Sequence, residues 1–228
     1  ASYLNVANIL TAAIESGCEA IHPGYGFLAE NGDFAEKVEA CGLKLIGPSS
    51  KVINLMGNKL SARSLMEQSG VPVVPGCNDA ISDEEQLYRI ADEIGYPVLL
   101  KASAGGGGKG MRRIYKREDL VAGWELTKRE AKVSFANDDI YVEKLIENPR
   151  HIEIQILADS HGNVVYLPER DCSIQRNNQK IIEESPSRAN SELLEKMYQS
   201  AVMCAKACGY EGTGTVEFIV DKYDNYYF

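Results

Sequence analysis

The sequence predicts an α/β layer that gives way to α+β structure, and three observations carry that reading. Helical and strand-like segments alternate at short intervals over residues 1–46, as in a parallel layer. The run Gly105-Gly106-Gly107-Gly108-Lys109-Gly110 is flanked closely by strand-like segments. Farther on, Ile152, Ile154 and Ile156 alternate with Glu153 and Gln155, the period of a half-buried strand.

Leu4, Ala7, Ile9, Leu10, Ala13 and Ile14 recur at helical spacing and stop at Ser16-Gly17, so the chain opens on an amphipathic helix. A strand at 20–22, a helix at 32–40 and a strand at 43–46 follow, the last ending at Gly47-Pro48. Residues 49–69 keep a helical pattern as a connector, closed by Gly70, Pro72 and Pro75. The next unit has a helix at 83–94, stopped by Gly95-Tyr96-Pro97, and a strand at 98–103 entering the glycine run. A strand at 111–115, a helix at 118–133 and a strand at 139–145 complete it. The alternating strand after residue 150 then turns through Asp159-Ser160-His161-Gly162-Asn163 into 164–167, a hairpin with one polar face. A helix at 191–207 and a strand at 214–220 come next, and Tyr226-Tyr227-Phe228 reads as a strand just beginning. The domains expected are 1–46, a linker 47–72, 73–146 and 147–228.

With 228 residues, 44% hydrophobic and 25% charged, the chain belongs with ordinary soluble globular proteins. No apolar run approaches the roughly 20 residues that span a bilayer, and no signal-like opening is present. A formal charge of −9 argues against a nucleic-acid backbone as main partner. Basic residues gather locally instead, Arg176 and Lys180 in one stretch and Lys109, Arg112, Arg113, Lys116 and Arg117 around the glycines, which suits a small anion. The six cysteines show neither a CxxC pair nor zinc-like spacing, and Cys204 and Cys208 are expected in the core, all consistent with a reducing cytoplasm.

Consecutive glycines cost backbone entropy, and close approach of backbone N–H groups to an anion is a reason to keep them; a flexible linker is the other reading. The run is not a Walker loop, because Gly110 follows Lys109 where Ser or Thr is required. Gly105, Gly107 and Gly110 satisfy GxGxxG, but that fingerprint opens a helix and Met111-Arg112-Arg113-Ile114-Tyr115 is strand-like. What fits is a glycine-tipped hairpin, a flap over phosphates, with Lys101 on the upstream strand supplying an ammonium.

Five segments, in collinear order, closely resemble biotin carboxylase, the ATP-grasp component of biotin-dependent acyl-CoA, pyruvate and related carboxylases. They are His22-Pro23-Gly24-Tyr25-Gly26-Phe27-Leu28, Leu55-Met56-Gly57-Asn58-Lys59, the stretch from Leu100-Lys101 through the glycines to Met111, Glu147-Asn148-Pro149-Arg150-His151-Ile152-Glu153, and Glu169-Arg170-Asp171-Cys172-Ser173-Ile174-Gln175-Arg176. The resemblance implies a partial Rossmann-like N-terminal domain, a glycine-loop lid and a partial C-terminal catalytic domain. It also implies an ATP-dependent ligase that phosphorylates bicarbonate to carboxyphosphate and carboxylates biotin on a carrier protein. ATP, Mg2+ or Mn2+, bicarbonate and carrier-bound biotin are then the small-molecule requirements. The implied partners are a biotin carboxyl carrier protein or domain, a carboxyltransferase and a second copy of the parent, with no nucleic acid or membrane. The implied compartment is cytoplasmic, or mitochondrial in a eukaryote.

By matching position, Lys59 and Lys101 resemble the lysines that meet ATP phosphates, and Gly107 and Gly108 the lid amides that cover them. Glu143, Lys144, Leu145 and Ile146 resemble the adenine-contacting strip, and His151 and Gln175 flank the nucleotide. Lys180 resembles the bicarbonate-binding lysine and Glu217 the first carboxylate ligand of the metal. Without the resemblance, Lys59 reads as a solvated helix-end lysine, His151 as an edge-strand histidine, His22 as a turn residue, Glu217 as a surface carboxylate, and Glu153 and Gln155 as the polar face of their strand. Many family members carry His where this sequence has Asn178, which keeps a polar nucleotide contact and removes a titratable group. The family's Glu-x-Asn-x-Arg-x-Gln-Val-Glu-His segment is expected beyond Phe228, so this stretch is expected to be a fragment without turnover. Two other readings stay open: a nucleotide-binding or structural fragment only, and another ATP-grasp ligase of carbamoyl-phosphate or purine-pathway type.

Overall fold

The computed structural model describes residues 2–104 and 110–228. Helix α1 (Val6–Glu15), strand β1 (Ala20–Ile21), helix α2 (Gly32–Ala40) and strand β2 (Lys44–Leu45) follow the expected alternation. The two strands pair in parallel, Ala20 with Lys44 and Ile21 with Leu45. Leu28, Phe34, Val38, Leu45 and Ile53 form the apolar core of this part.

The connector is two helices, α3 (Ser50–Gly57) and α4 (Lys59–Gln68), where the sequence pattern reads as one continuous helical stretch. Asn58 makes the break. Its backbone is extended and its side chain accepts from the N–H groups of Leu60 and Ser61, the N-cap arrangement that lets α4 start afresh. The same chemistry starts other helices: Asn31 caps α2, and Asp83 caps α5 (Glu84–Ile94).

Helix α5 leads to β3 (Val98–Ala102), β4 (Met111–Ile114), helix α6 (Leu120–Phe135) and β5 (Ile140–Lys144). These three strands form an antiparallel sheet of order β4-β3-β5. Leu87, Val98, Leu100, Leu120, Ile140 and Val142 fill the space between sheet and helices. Of the glycine run, Gly110 is described. It has φ +67°, and a Cβ there would lie 2.9 Å from that of Ala102, so the turn into β4 requires glycine. A strand leaves the run, as expected, and not the helix a dinucleotide fingerprint would open.

The third part is built on an antiparallel sheet of order β11-β10-β6-β8-β9, with β7 also on β6. Its strands are β6 (Arg150–Ala158), β7 (Val164–Tyr166), β8 (Arg170–Arg176), β9 (Gln179–Glu184), β10 (Gly212–Val220) and β11 (Tyr226–Tyr227), with helix α7 (Ser191–Cys208) before β10. Ile152, Ile154 and Ile156 face Met197, Ala201 and Phe218 in its core. Cys204 is buried there, and Cys208 is half-buried. The β8–β9 hairpin is not evident from the sequence pattern. It turns through Asn177 and Asn178 at φ +52° and +60°, the positive-φ pair that a two-residue type I′ loop demands. A second departure concerns Glu153, which alternation placed on a solvated face: it is 2% exposed.

Gly76 sits against β5 in an isolated bridge to Glu143, where a Cβ would meet Val142 O at 2.6 Å and Glu143 Cα at 2.9 Å. Neither is a movable side-chain end. Gly76→Ala is therefore expected to cost about 1–3 kcal/mol through overpacking, read as a lower urea midpoint at unchanged slope.

Candidate functional site

A cleft of about 490 Å³ opens where the helical connector meets the second and third parts, within the range of small-molecule sites. Lys59, Arg63, Lys101, Glu143, His151 and Glu217 are among its lining residues. Lys59 is the first residue of α4, and its Nζ lies 3.4 Å from the carbonyl oxygen of Ala102. Burial, and after it the Lys101 ammonium, lowers the pKa of Lys59 below the ordinary lysine range. Two ammonium groups this close mark a place where anionic charge is stabilised.

Lys101 lies on β3, and its Nζ meets Glu143 Oε1 at 2.5 Å. The two side chains are diagonal neighbours across the ladder, since Lys101 pairs with Tyr141 and Leu99 with Glu143. Glu143 is 4% exposed, so Lys101 is the cation that makes this carboxylate tolerable. Lys144 points elsewhere. Its Nζ donates to the carbonyls of Gly95 at 2.8 Å and Tyr96 at 3.1 Å, tying β5 to the turn before β3. Leu145 is buried and its N–H donates to Pro97 O, while Ile146 is half-buried; neither lines the cleft.

The opposite wall carries residues of β6 and β10, and side chains of the β8–β9 hairpin bond to them. Glu153 and Glu217 stand directly opposite each other in the β6–β10 register. Facing carboxylates repel, and Lys180 from β9 resolves the conflict by bonding both, with Nζ 2.6 Å from Glu217 Oε1. Arg170 holds the other side of Glu153, its Nε 2.6 Å from Oε1, and also donates to Gln155 Oε1 at 3.1 Å. Burial works against the Lys180 ammonium, but its hydrogen bonds to Glu153 and Glu217 outweigh burial and raise its pKa. Glu217 is held down at about 2, first by the His151 imidazole and then by Lys180, against the opposing effect of burial.

His151 Nε2 is buried, has no hydrogen-bond partner among the described residues, and lies 3.8 Å from Glu217 Oε2. On the other side of the ring, Gln175 Nε2 is 3.0 Å from Nδ1 while also donating to Cys172 O at 2.9 Å. With the Gln175 amide in this orientation, Nδ1 is the acceptor and the ring proton sits on Nε2, aimed at Glu217. The oxygens of Glu153 and Glu217 and a nitrogen of His151 lie within 4.8 Å of one another, an arrangement that can hold a cation. A hard divalent ion fits the two carboxylates best.

The structure thus brings Lys59, Lys101, Glu143, His151 and Glu217 onto one cleft, with Lys180 and Gln175 reaching it through Glu217 and His151. Asn178 is exposed at the hairpin tip, away from the cleft lining, and Gly107 and Gly108 lie outside the described residues. Glu153 and Arg170 are the functional residues that pattern reading left unassigned. The available signal was their chemistry, a carboxylate inside an isoleucine strand and an arginine in register with it.

The Glu217 shift has a pH consequence. Its carboxyl falls from the ordinary 4.5 to about 2 on folding, so its stabilisation is present above pH 4.5 and is lost as pH falls toward 2. The stability gap between the unsubstituted chain and Glu217→Gln, from urea midpoints, is expected to close across that window. A gap constant with pH would contradict the assignment.

Comparison with known proteins agrees with this geometry. The family described as "Carbamoyl-phosphate synthase L chain, ATP binding domain" matches residues 58–228, and "Biotin carboxylase, N-terminal domain" matches 1–53. Biotin carboxylase 1 of Bacillus subtilis is 54% identical over 100% of this chain and 51% of its own length. The biotin carboxylase of Haemophilus influenzae is 50% identical over 99% of this chain and 51% of its own. A solved biotin carboxylase from Campylobacter jejuni, in a β,γ-ATP complex, superposes with TM-score 0.96 at 47% identity, covering 100% of this chain and 51% of that one. The biotin carboxylase domain dimer of Hydrogenobacter thermophilus 2-oxoglutarate carboxylase, with MgADP, ADP and bicarbonate, gives 0.94 at 52% identity over 99% and 50%. The chain spans about half the length of these relatives. A two-walled cleft of lysines and carboxylates, two family matches spanning nearly the whole sequence and relatives at about 50% identity lead to one assignment: the chain belongs to the biotin carboxylase family and has the ATP-grasp fold.

Proposed function

We infer that the full gene product containing this chain is an ATP- and bicarbonate-dependent biotin carboxylase, and that this chain supplies much of its nucleotide and bicarbonate site. The observation that carries the reading is the placement of Lys59 and Lys101 on one wall of the cleft and of Glu217, bridged by Lys180 to Glu153, on the other. In this reading Lys59 and Lys101 neutralise phosphate oxygens, a major part of what phosphoryl transfer asks of a protein. The 143–146 segment borders the adenine, His151 and Gln175 flank the nucleotide, and Asn178 adds a polar contact from the hairpin tip. Gly107 and Gly108 would cover the phosphates.

Lys180 would hold bicarbonate, its ammonium lying beside Glu217 at the edge of the cleft. Glu217 would hold Mg2+ or Mn2+, with Glu153 beside it; the ion's chemistry there is to offset phosphate charge. A carrier protein or domain would present biotin, a carboxyltransferase would take the product, and the parent would pair with a second copy, as the Hydrogenobacter domain does. The division into 1–46, 47–72, 73–146 and 147–228 is supported by three separate apolar cores. No described helix is long and apolar enough to cross a membrane, and a cytoplasmic or mitochondrial-matrix setting is part of the proposal.

The test is bicarbonate-dependent ATP hydrolysis with free biotin as acceptor. The full gene product is expected to turn over and the 228-residue chain alone is not. Hydrolysis stimulated by an amine acceptor and indifferent to biotin would move the protein to another ATP-grasp reaction.

A further inference from the structure

Glu169 lies between β7 and β8, 2% exposed and outside the lining of the cleft. Successive side chains of an extended segment point to opposite faces, and the chain uses both here. Arg170 joins the cleft network through Glu153, while Glu169 turns toward α7. Its Oε1 accepts from the N–H of Ser187 at 2.8 Å and its Oε2 accepts from the Tyr198 hydroxyl. Ser187 follows the end of β9, so a single carboxylate closes the open base of the β8–β9 hairpin and fastens it to α7. Tyr198 is itself stacked on Tyr166, ring centroids 4.4 Å apart.

The hairpin needs such a fastening. Its ladder shifts register between Asp171 and Ile174 and again between Ile174 and Gln175, and its tip at Asn177-Asn178 is exposed. Irregular pairing defines the position of β9 weakly, yet Lys180 on that strand must reach Glu153 and Glu217 across the sheet.

We propose that Glu169, with the Tyr198 hydroxyl and the Ser187 N–H, is a positioning residue that pins the hairpin base and so sets the reach of Lys180 into the cleft. The anchoring stands on geometry alone; its kinetic consequence rests on the reading of Lys180 as the bicarbonate-side lysine.

Amide hydrogen exchange on this chain tests the anchoring. Tyr198→Phe removes one hydrogen bond to the carboxylate and keeps the stacked ring, and is expected to speed exchange at residues 179–184 about tenfold while β6 and β10 stay protected. Glu169→Ala is expected to act in the same direction and more strongly; should it not fold, Tyr198→Phe decides. Unchanged exchange in the hairpin of Tyr198→Phe overturns the proposal. In the full gene product, the same substitution is expected to raise KM for bicarbonate severalfold and leave KM for ATP in place, a split that general loosening would not produce. A bicarbonate KM that moves in Lys180→Ala but not in Tyr198→Phe overturns the positioning role. If Lys180→Ala leaves it unmoved too, the bicarbonate reading of Lys180 fails, and faster hairpin exchange still supports the anchoring.

Discussion

Glu153→Ala is expected to be the most damaging single substitution in the cleft, lowering folding stability by about 3–5 kcal/mol. The side chain is 2% exposed and bridges Arg170 and Lys180, which are themselves largely covered. Alanine takes the buried partner from both cations, leaving Lys180 to Glu217 and Arg170 to Glu183, each on a more exposed carboxylate, and breaking a buried pair from one side costs more than the intact bridge contributes. Against a domain stability of about 5–15 kcal/mol, the loss would leave a large unfolded population at modest urea concentrations. Chemical denaturation of the chain reads it directly. Replacing Lys180 with Met in the same background is expected to recover part of the loss, since it removes one of the cations that lost the buried partner; a further additive loss would mean the bridge is not the cause.

Lys101→Ala in the full gene product carries the second large expected effect, a drop in ATP affinity of about 1.5–3 kcal/mol, or roughly 10- to 100-fold. Two losses coincide. The phosphates lose an ammonium, and Glu143, 4% exposed, loses the cation bonded to it, leaving a negative charge on the same cleft that the nearby Lys59 ammonium offsets in part. Lys101→Ala with Glu143→Gln separates them: relief of the repulsion is expected to restore part of the affinity, with the remainder measuring the ammonium itself. ATP kinetics unchanged from the parent would remove Lys101 from the site.

The particular residues explain how far the sequence could be read. Ile152, Ile154 and Ile156 announced β6 because a strand against a helix must put apolar groups at every second position, and the structure places all three in one core. The break at Asn58 was hidden because apolar spacing runs through it; only the capping chemistry of an asparagine followed by a new turn distinguishes two helices from one. The β8–β9 hairpin escaped because its faces are not segregated, with Ile174, Ile181 and Ile182 all substantially exposed. Its two asparagines were the better signal. Glu153 was misjudged for a physical reason: a carboxylate in an alternating strand faces water by default, and the cations that bury it come from residues 170 and 180, on other strands. The motif lysines and Glu217 were legible through resemblance, but their pairing was not, since it depends on register between strands far apart in sequence.

The Asn177-Asn178 turn has a bearing on how many imidazoles stand near the cleft. Both residues sit in left-handed backbone, where asparagine is favoured among side chains that carry a Cβ. Of the three histidines in the sequence, His22 has its Nδ1 accepting from Gly24 N in the first part and His161 lies in the exposed turn after β6. His151 is therefore the one imidazole among the described lining residues of the cleft. By choosing the residue that suits the turn, the hairpin adds no imidazole of its own, and the lowered pKa of Glu217 rests first on the one ring that faces it.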